Sequence, residues 1–502
     1  MGLSEVLVSS PGSVLGLVLV LLLVYLIYNN LDSDQGPPGP PGPKPVPILG
    51  NLLQIDLKKP YETLIQLSKE YGPVFMVWMG PQKVVVLAGY KTIKEALVNH
   101  AEVFGDRHVV PIIRDIMVKD NYGVTWSNGE KWRELRRFAL TNLRDFGMGK
   151  RVCEEKIIEE AQCLCQVFNN FRKKAFDMTE PVNCAVSNIT SSLVYGSRFE
   201  YSDPEFTTIV KYTTTNTQLL GSPSVQIYNL FPWLGHLVPN RNKMFKQRKK
   251  SDEQNQRFFK KLRDTLNPHM PRGFVDAFML RQKKESGVPN SPYQEENMAS
   301  SILQLFAAGT ETTSTTLRWA LLLMVKYPHI QDQVREEIFR VIGAREVQTE
   351  DRKDLPFTDS VIHETQRIAN VVPLSLPHQT SQDITFQNYF IKKGTTVWPL
   401  LTSVLYDESE WEKPHSFYPA HFLHKDGTFR KRDAFMPFSA GRRICLGEGL
   451  ARMELFIFFV TLMQRFRFTA PPGVNVDELE LMSCVGFTLN PVPHKLCAIP
   501  CA

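Results

Sequence analysis

A helical pattern runs unbroken from residue 294 to residue 326, and its side chains are too apolar for it to lie on a surface. A chain with such a segment must wrap one large core around it. Further helical patterns occupy 61–70, 92–99, 131–138, 152–171, 255–266, 329–342 and 450–466. Short alternating stretches at 74–78, 83–87, 384–386 and near 395–399 read as strands. The expected fold is mainly α with a minor β region. Length alone suggests about three domains of ~150 residues. No repeat or Gly/Ser linker follows residue 60, however, and the polar stretches 281–297 and 344–356 read as surface loops of one body. With 43% hydrophobic and 22% charged residues the chain is neither disordered, collagenous nor polytopic. A net charge of +6 over 502 residues gives no reason to expect nucleic acid as a partner.

The first 31 residues predict a membrane anchor. No charge falls between Val6 and Leu31, and 14–28 is almost purely aliphatic, close to the roughly 20 residues that cross a bilayer. A cleaved leader would begin with basic residues and end in small ones. Here MGLSEV has no Lys or Arg, and the run ends in Tyr25, Tyr28 and Asn29. Lys44, Lys58 and Lys59 follow the span, which puts the body on the cytosolic side. The opening Met-Gly lacks the Ser or Thr at position 6 that myristoylation requires. Residues 32–51, with GPPGPPGPKPVPILGN at 36–51, read as a stiff proline-rich hinge, and 52–502 as the body.

The 8 cysteines show neither zinc spacing nor the density of a disulfide scaffold, and read as free thiols in a reducing compartment. Cys445 stands apart. It lies in Phe438-Ser-Ala-Gly-Arg-Arg-Ile-Cys-Leu-Gly447, just before a helix whose N-terminus favours a negative sulfur. Gly441 and Gly447 permit tight turns and the close approach of a flat ring. Phe438 can pack beside such a ring, and Arg443 can meet an anionic substituent on it.

This segment follows the FxxGxRxCxG pattern, and the chain resembles the cytochrome P-450 superfamily, the haem-thiolate monooxygenases. The resemblance extends to Ala308-Gly309-Thr310-Glu311-Thr312-Thr313 in the long helix, Glu364-Thr365-Gln366-Arg367, Trp132 with Arg136, and the proline hinge at 40–51. The segments FAAGTETTSTTLRWAL and FMPFSAGRRICLGE look most like family two of the vertebrate microsomal enzymes. The resemblance implies haem b on Cys445, with dioxygen activated opposite it by Thr312, and Glu311 on the proton route. The implied propionate partners are Trp132, Arg136 and Arg443, joined by Arg107 in FGDR and His378 in SLPH. Glu364 and Arg367, at i and i+3, share a helix face. With His421, which stands in Pro419-Ala-His-Phe422 where the family has Arg, they form a structural brace that is pH-sensitive in principle.

The implied substrate pocket contains Ala308, Val372, Leu376, Phe487 and Ile116, all apolar, so the substrate should be lipophilic. Residues 200–240, with Phe206, Ile227, Tyr228, Phe231, Trp233 and Leu237, read as a mobile roof that dips into the membrane. Basic residues at Lys131, Arg133, Arg137, Arg144, Arg430, Lys431, Arg432 and Arg442 would steer an acidic redox partner. The implied partner is the NADPH-dependent flavoprotein reductase of microsomes, with cytochrome b5 as a second candidate. The expected activity is insertion of one oxygen atom into fatty acids or xenobiotics at the endoplasmic reticulum membrane. Two alternatives stand beside it. One is an isomerase that rearranges a peroxide without dioxygen, against which the Glu311-Thr312 pair argues; the other is a non-catalytic haem carrier or sensor.

Overall fold

The computed structural model describes residues 11–31, 37–116 and 122–501. Residues 1–10 of the expected anchor and 32–36 of the expected hinge lie outside the described residues. The chain is mainly helical with minor sheets. The first described helix, Pro11–Leu31, has 21 residues. Its side chains are described only over 12–25, and among the described residues no helix is long and apolar enough to cross a membrane.

The strands are β1 (Val74–Met79), β2 (Gln82–Leu87), β3 (Asp106–Arg107), β4 (His378–Gln379), β5 (Ile384–Phe386), β6 (Tyr389–Ile391), β7 (Thr396–Pro399), β8 (Phe466–Thr469) and β9 (Cys497–Pro500). Five of them form one sheet in the order β1-β2-β7-β4-β3. β2 sits inside it, antiparallel to β1 and parallel to β7, and its run of Val84, Val85, Val86 and Leu87 is buried throughout. β3 and β4 are too short to announce themselves by alternation, yet their pairing sets Arg107 opposite His378.

The hinge is no free spacer. Met76 N–H donates to Pro41 O at 2.7 Å, Asn51 N–H to Trp78 O at 2.7 Å, and Trp78 N–H to the Asn51 side chain at 2.7 Å. An added Cβ at Gly42 would stand 1.9 Å from Met76 O, so glycine is needed for the segment to lie along the exposed edge of β1.

The central helix, Glu295–Lys326, runs through the core as expected. It packs on Thr179–Val194, a helix that apolar periodicity hides because its buried face is rich in small polar residues. Ser187 and Thr310 hydroxyls meet at 3.0 Å, and a Cβ at Gly309 would come within 2.4 Å of the Thr190 hydroxyl. Gly309 therefore permits close helix packing; the helix runs on past it without a break. The helix Glu448–Arg465 covers the other side, and Leu446, just before it, shares a cluster with Leu305 of the central helix.

Glu454 of this last helix is fully buried, and burial pushes its carboxyl up to about 8, against a hydrogen bond with Thr313. An acid raised on folding contributes its stability in full below the unfolded value, near 4.5, and loses it as pH rises toward 8. Glu454→Gln should raise the melting temperature by several degrees at pH 8, with the gain shrinking to nothing near pH 4.5, as followed by circular dichroism.

Candidate active site

Two residues with positive φ, Ser439 (62°) and Gly441 (72°), fold the segment before Cys445 back on itself. Cys445 N–H donates to Phe438 O at 3.0 Å, closing the loop. A Cβ on Gly441 would lie 1.7 Å from Leu97 O. Glycine here serves the packing of the loop on the turn at Glu95–Asn99, a different cause from the ring approach expected. At Gly447 an added Cβ would meet nothing within 4 Å, so the free space beside the loop lies there.

Of the eight cysteines only Cys445 is exposed. Burial nevertheless pushes its thiol up, against the Gly447 N–H and the Arg136 charge, which lower it. The two observations agree if the residue lines a recess that protein encloses. The Gly447 N–H therefore does favour a negative sulfur, as expected of the loop, while burial opposes it. The opposite signal comes from the central helix, where Ala308 is exposed, and Ala307, Gly309 and Thr312 are half-buried, in a helix otherwise largely buried beyond them. The Thr312 hydroxyl donates to Ala308 O at 2.7 Å.

Around Trp132 lie three guanidinium groups: Arg443 at 3.7 Å from the ring centre, Arg442 at 5.2 Å and Arg136 at 5.9 Å. Arg443 donates to Gly105 O (2.7 Å), Ser127 O (2.9 Å) and the Asn128 side chain (3.0 Å), all neutral acceptors. Arg136 donates to Ile444 O at 2.7 Å, and Arg107 to Leu376 O at 3.1 Å. None of these three has a carboxylate partner among the described residues. Burial, then repulsion from Arg107, lowers Arg443 to about 8; burial, then Arg136, lowers Arg107 to about 9. His378 Nδ1–H donates to Phe104 O at 2.6 Å, and burial and Arg107 hold the ring neutral, so Nε2 carries a lone pair and meets a carboxylate only when a proton joins it. Arg107 Nε and His378 Nε2 are buried without a hydrogen-bond partner. A nest of uncompensated cations and orphaned nitrogens beside an accessible cysteine fits a flat iron ligand bearing two carboxylates.

Such a donor set defines a haem-thiolate protein. A model of the cytochrome P-450 family matches residues 40–498. Cytochrome P-450 2K1 of Oncorhynchus mykiss is 59% identical over 493 residues, 98% of this chain and 97% of the relative. Cytochrome P-450 2K6 of Danio rerio is 54% identical over the same shares, and cytochrome P-450 2C39 of Mus musculus 43% identical over 91% and 93%. The chain belongs to the cytochrome P-450 family, and its relatives place it with family two of the vertebrates. It is a monooxygenase that uses haem and dioxygen, with NADPH-derived electrons passed through a reductase.

Glu364 and Arg367 form a wholly buried two-bond pair, at 2.7 and 2.8 Å. His421 meets Glu364 through Nδ1 at 3.1 Å while its Nε2 accepts from Lys413 N–H at 3.0 Å. An acceptor at Nε2 makes Nδ1 the protonated nitrogen, so the imidazole is neutral and donates to Glu364. Arg367 also holds Leu405 O, Pro414 O and Ser416 O.

Glu311 is buried, its Oε1 accepting from Asn490 at 3.0 Å and Thr488 at 3.4 Å, its Oε2 without a partner. Asn490 and Thr488 lie about 180 residues away and carried no sequence signal. Phe487, next to Thr488, donates its N–H to Thr217 O in the helix Pro204–Leu220. Ile116 and Leu376 pack in one cluster beneath the roof with Val225 and Tyr228, and Val372 is half-buried apart from it. In the roof itself, Phe206 and Tyr228 are core residues, whereas Trp233 and Leu237 stand 78% and 77% exposed.

The basic face is more selective than its composition implied. Arg432 is tied to Glu412 at 3.0 Å and to Glu410 O, and Arg430 also meets Glu412. Arg133 pairs with Glu130 and Arg442 with Glu102. Lys131 lies over the Tyr122 ring. Arg137, Arg144 and Lys431 remain exposed with no ion pair among the described residues. The first two line an open groove of about 440 Å³ with Arg133, Arg136, Arg442 and Trp132.

Glu364→Gln would leave the Arg367 charge buried without its counter-ion, and should cost about 3–5 kcal/mol of stability in urea unfolding. Arg443→Gln should speed haem transfer to an acceptor protein by about tenfold, the loss of one charge-assisted hydrogen bond.

Proposed function

We propose that the chain is a single-pass enzyme of the endoplasmic reticulum membrane, its body cytosolic, that inserts one atom of dioxygen into a fatty acid or xenobiotic and releases the other as water. The observation that carries the reading is the accessible Cys445 beside a cationic nest that no carboxylate among the described residues pairs with. Cys445 would hold the iron, and Trp132, Arg136 and Arg443, with Arg107 and His378, would hold the propionates. Phe438 would pack beside the ring. Haem bound through a thiolate supplies dioxygen binding and scission of the O–O bond, which electron donation from sulfur favours.

The remaining work falls to the central helix. In its present rotamer the Thr312 hydroxyl donates to Ala308 O, which leaves its oxygen free to accept from one water. Glu311, fixed at Oε1 by Asn490 and Thr488, keeps Oε2 free to exchange a proton with such a water. Ala308, Val372, Leu376, Phe487 and Ile116 offer only apolar surface, which selects a lipophilic substrate. The aliphatic helix Pro11–Leu31 would anchor the chain, and Trp233 and Leu237 would set the roof against the bilayer so that substrates arrive from the lipid. The reductase, and cytochrome b5 as a second partner, would dock on the groove of Arg137 and Arg144 and on Lys431.

Three measurements test this. Cys445→Ser should abolish the red-shifted carbonyl spectrum of a thiolate-bound haem while the chain stays folded. Thr312→Ala should lower product per NADPH severalfold in a reconstituted reductase system, with peroxide formed instead; unchanged coupling would remove Thr312 from the mechanism, and turnover without NADPH would overturn the monooxygenase reading. Arg137→Glu with Arg144→Glu should slow reduction by the reductase about tenfold at low salt, a difference that closes as salt screens the face.

A further inference from the structure

We infer that Asn490 and Arg318 are positioning residues for the proton step: acting through the Asn490 side-chain amide, the Arg318 guanidinium confines the Glu311 proton to Oε2. Glu311, Thr315 and Arg318 stand at i, i+4 and i+7 of the helix Glu295–Lys326, hence on one face, and all three are buried. Against that face lies the segment 488–490, held there by the Trp319 indole, which donates to Leu489 O at 2.7 Å. Arg318 donates through Nη2 to Thr315 Oγ1 at 3.0 Å and to Asn490 Oδ1. It has no carboxylate within ion-pair distance among the described residues.

The direction of every bond in this cluster follows from its two ends. A guanidinium only donates, so the Asn490 atom that meets it is the oxygen, and Nδ2 faces the other way. Thr315, accepting from Arg318, gives its own proton to Asn490 Oδ1 at 2.6 Å. Nδ2 donates to Glu311 Oε1 at 3.0 Å and to Thr488 Oγ1 at 3.1 Å, and Thr488 donates in turn to Oε1 at 3.4 Å. All donors thus point from the cation toward one oxygen of the acid, and both lone pairs of Oε1 are occupied. Turning the amide over to make room for a proton there would aim its NH2 group at Arg318. Oε2, buried and without a partner, is the oxygen left to take one. Burial lowers Arg318 and the Glu311 charge raises it, so the two ends are coupled across the amide.

Glu364 shows what the intervening amide achieves. Arg367, three residues along, takes both of its carboxylate oxygens, at 2.7 and 2.8 Å, and leaves neither for exchange. Arg318 stands about 10 Å along the helix from Glu311 and reaches it by hydrogen bonds only through its neighbours. The amide directs the cation's influence to one oxygen and spares the second. This inference rests on the proposed place of Glu311 on the proton route, and adds to it what fixes the working side of the carboxyl group.

The test uses the full-length, haem-loaded chain with its reductase. Product per NADPH is measured with whichever of a set of saturated fatty acids and alkoxycoumarins turns over fastest. Asn490→Asp keeps the shape and gives Arg318 a counter-ion, but sets an oxygen against Oε1 and draws a proton between the two. Its melting temperature should not fall, while product per NADPH drops about fivefold, the size expected of one lost buried hydrogen bond. Arg318→Gln frees the amide to turn over and should show the same drop, most of which Arg318→Lys, a donor-only cation, recovers. In these variants the substrate concentration at half of the haem spin-state change should move less than about twofold, separating the proton step from binding. On a Glu311→Gln background, Asn490→Asp and Arg318→Gln should add nothing, as expected of residues that act through Glu311. An equal loss on that background, or full coupling in Asn490→Asp, overturns the inference. Uncoupling by Glu311→Gln with none by Asn490→Asp removes the inference alone; full coupling in Glu311→Gln removes Glu311 from the proton route and the inference with it.

Discussion

Three arginines around the cysteine loop, Arg443 and Arg107 buried and Arg136 half-buried, have no counter-ion among the described residues, and this is the constraint on which the rest of this protein turns. Arg443 ties together Gly105, Ser127 and Asn128, Arg136 reaches the carbonyl next to Cys445, and Arg107 bonds to Leu376. Arg443 and Arg136 have neutral acceptors, Arg107 Nε has none, and none of the three has a counter-charge among the described residues. Neutral carbonyls satisfy geometry and the Trp132 face supplies part of the electrostatics, yet the mutual repulsion persists. In the proposed reading an anion with two carboxylates would complete this site, and its binding would stabilise the joining of the sheet, the Trp132 helix and the cysteine loop.

The brace behind the loop makes the contrast. Glu364, Arg367 and a neutral His421 close their charges and hydrogen bonds among themselves and the Leu405–Ser416 backbone. Both clusters are buried and both contain arginine. One is balanced within the protein; the other is unbalanced, and it is there that the proposed propionates would sit. Charge closure, more than burial, separates a structural cluster from a binding one here.

The central helix joins chemistry to substrate. Its Glu311 is fixed by Asn490 and Thr488, whose neighbour Phe487 bonds to the roof helix through Thr217. Thr217, Phe487, Thr488 and Asn490 thus form a contiguous set of contacts between the roof helix and Glu311. The same roof carries the exposed Trp233 and Leu237, so the surface proposed to meet lipid and the Glu311 side chain belong to one connected unit.

Much of this was legible in the chain itself. Periodicity located the central helix and β2, because a segment buried on every side must be apolar along its length. The cysteine motif marked the site, because a ligating sulfur, its turn residues and its cationic neighbour are close in sequence. Periodicity missed Thr179–Val194, where small hydroxyl residues replace apolar bulk so that two helices can touch, and missed β3 and β4, which are two residues long. Composition placed Arg432 on a docking surface, but Glu412 neutralises it. The chain alone determined which chemical groups are present and which local shapes they favour. Only the tertiary structure decided which other charges find partners, as Arg442 does with Glu102, 340 residues away, and Arg443 does not, because residues far apart in sequence can be close in space.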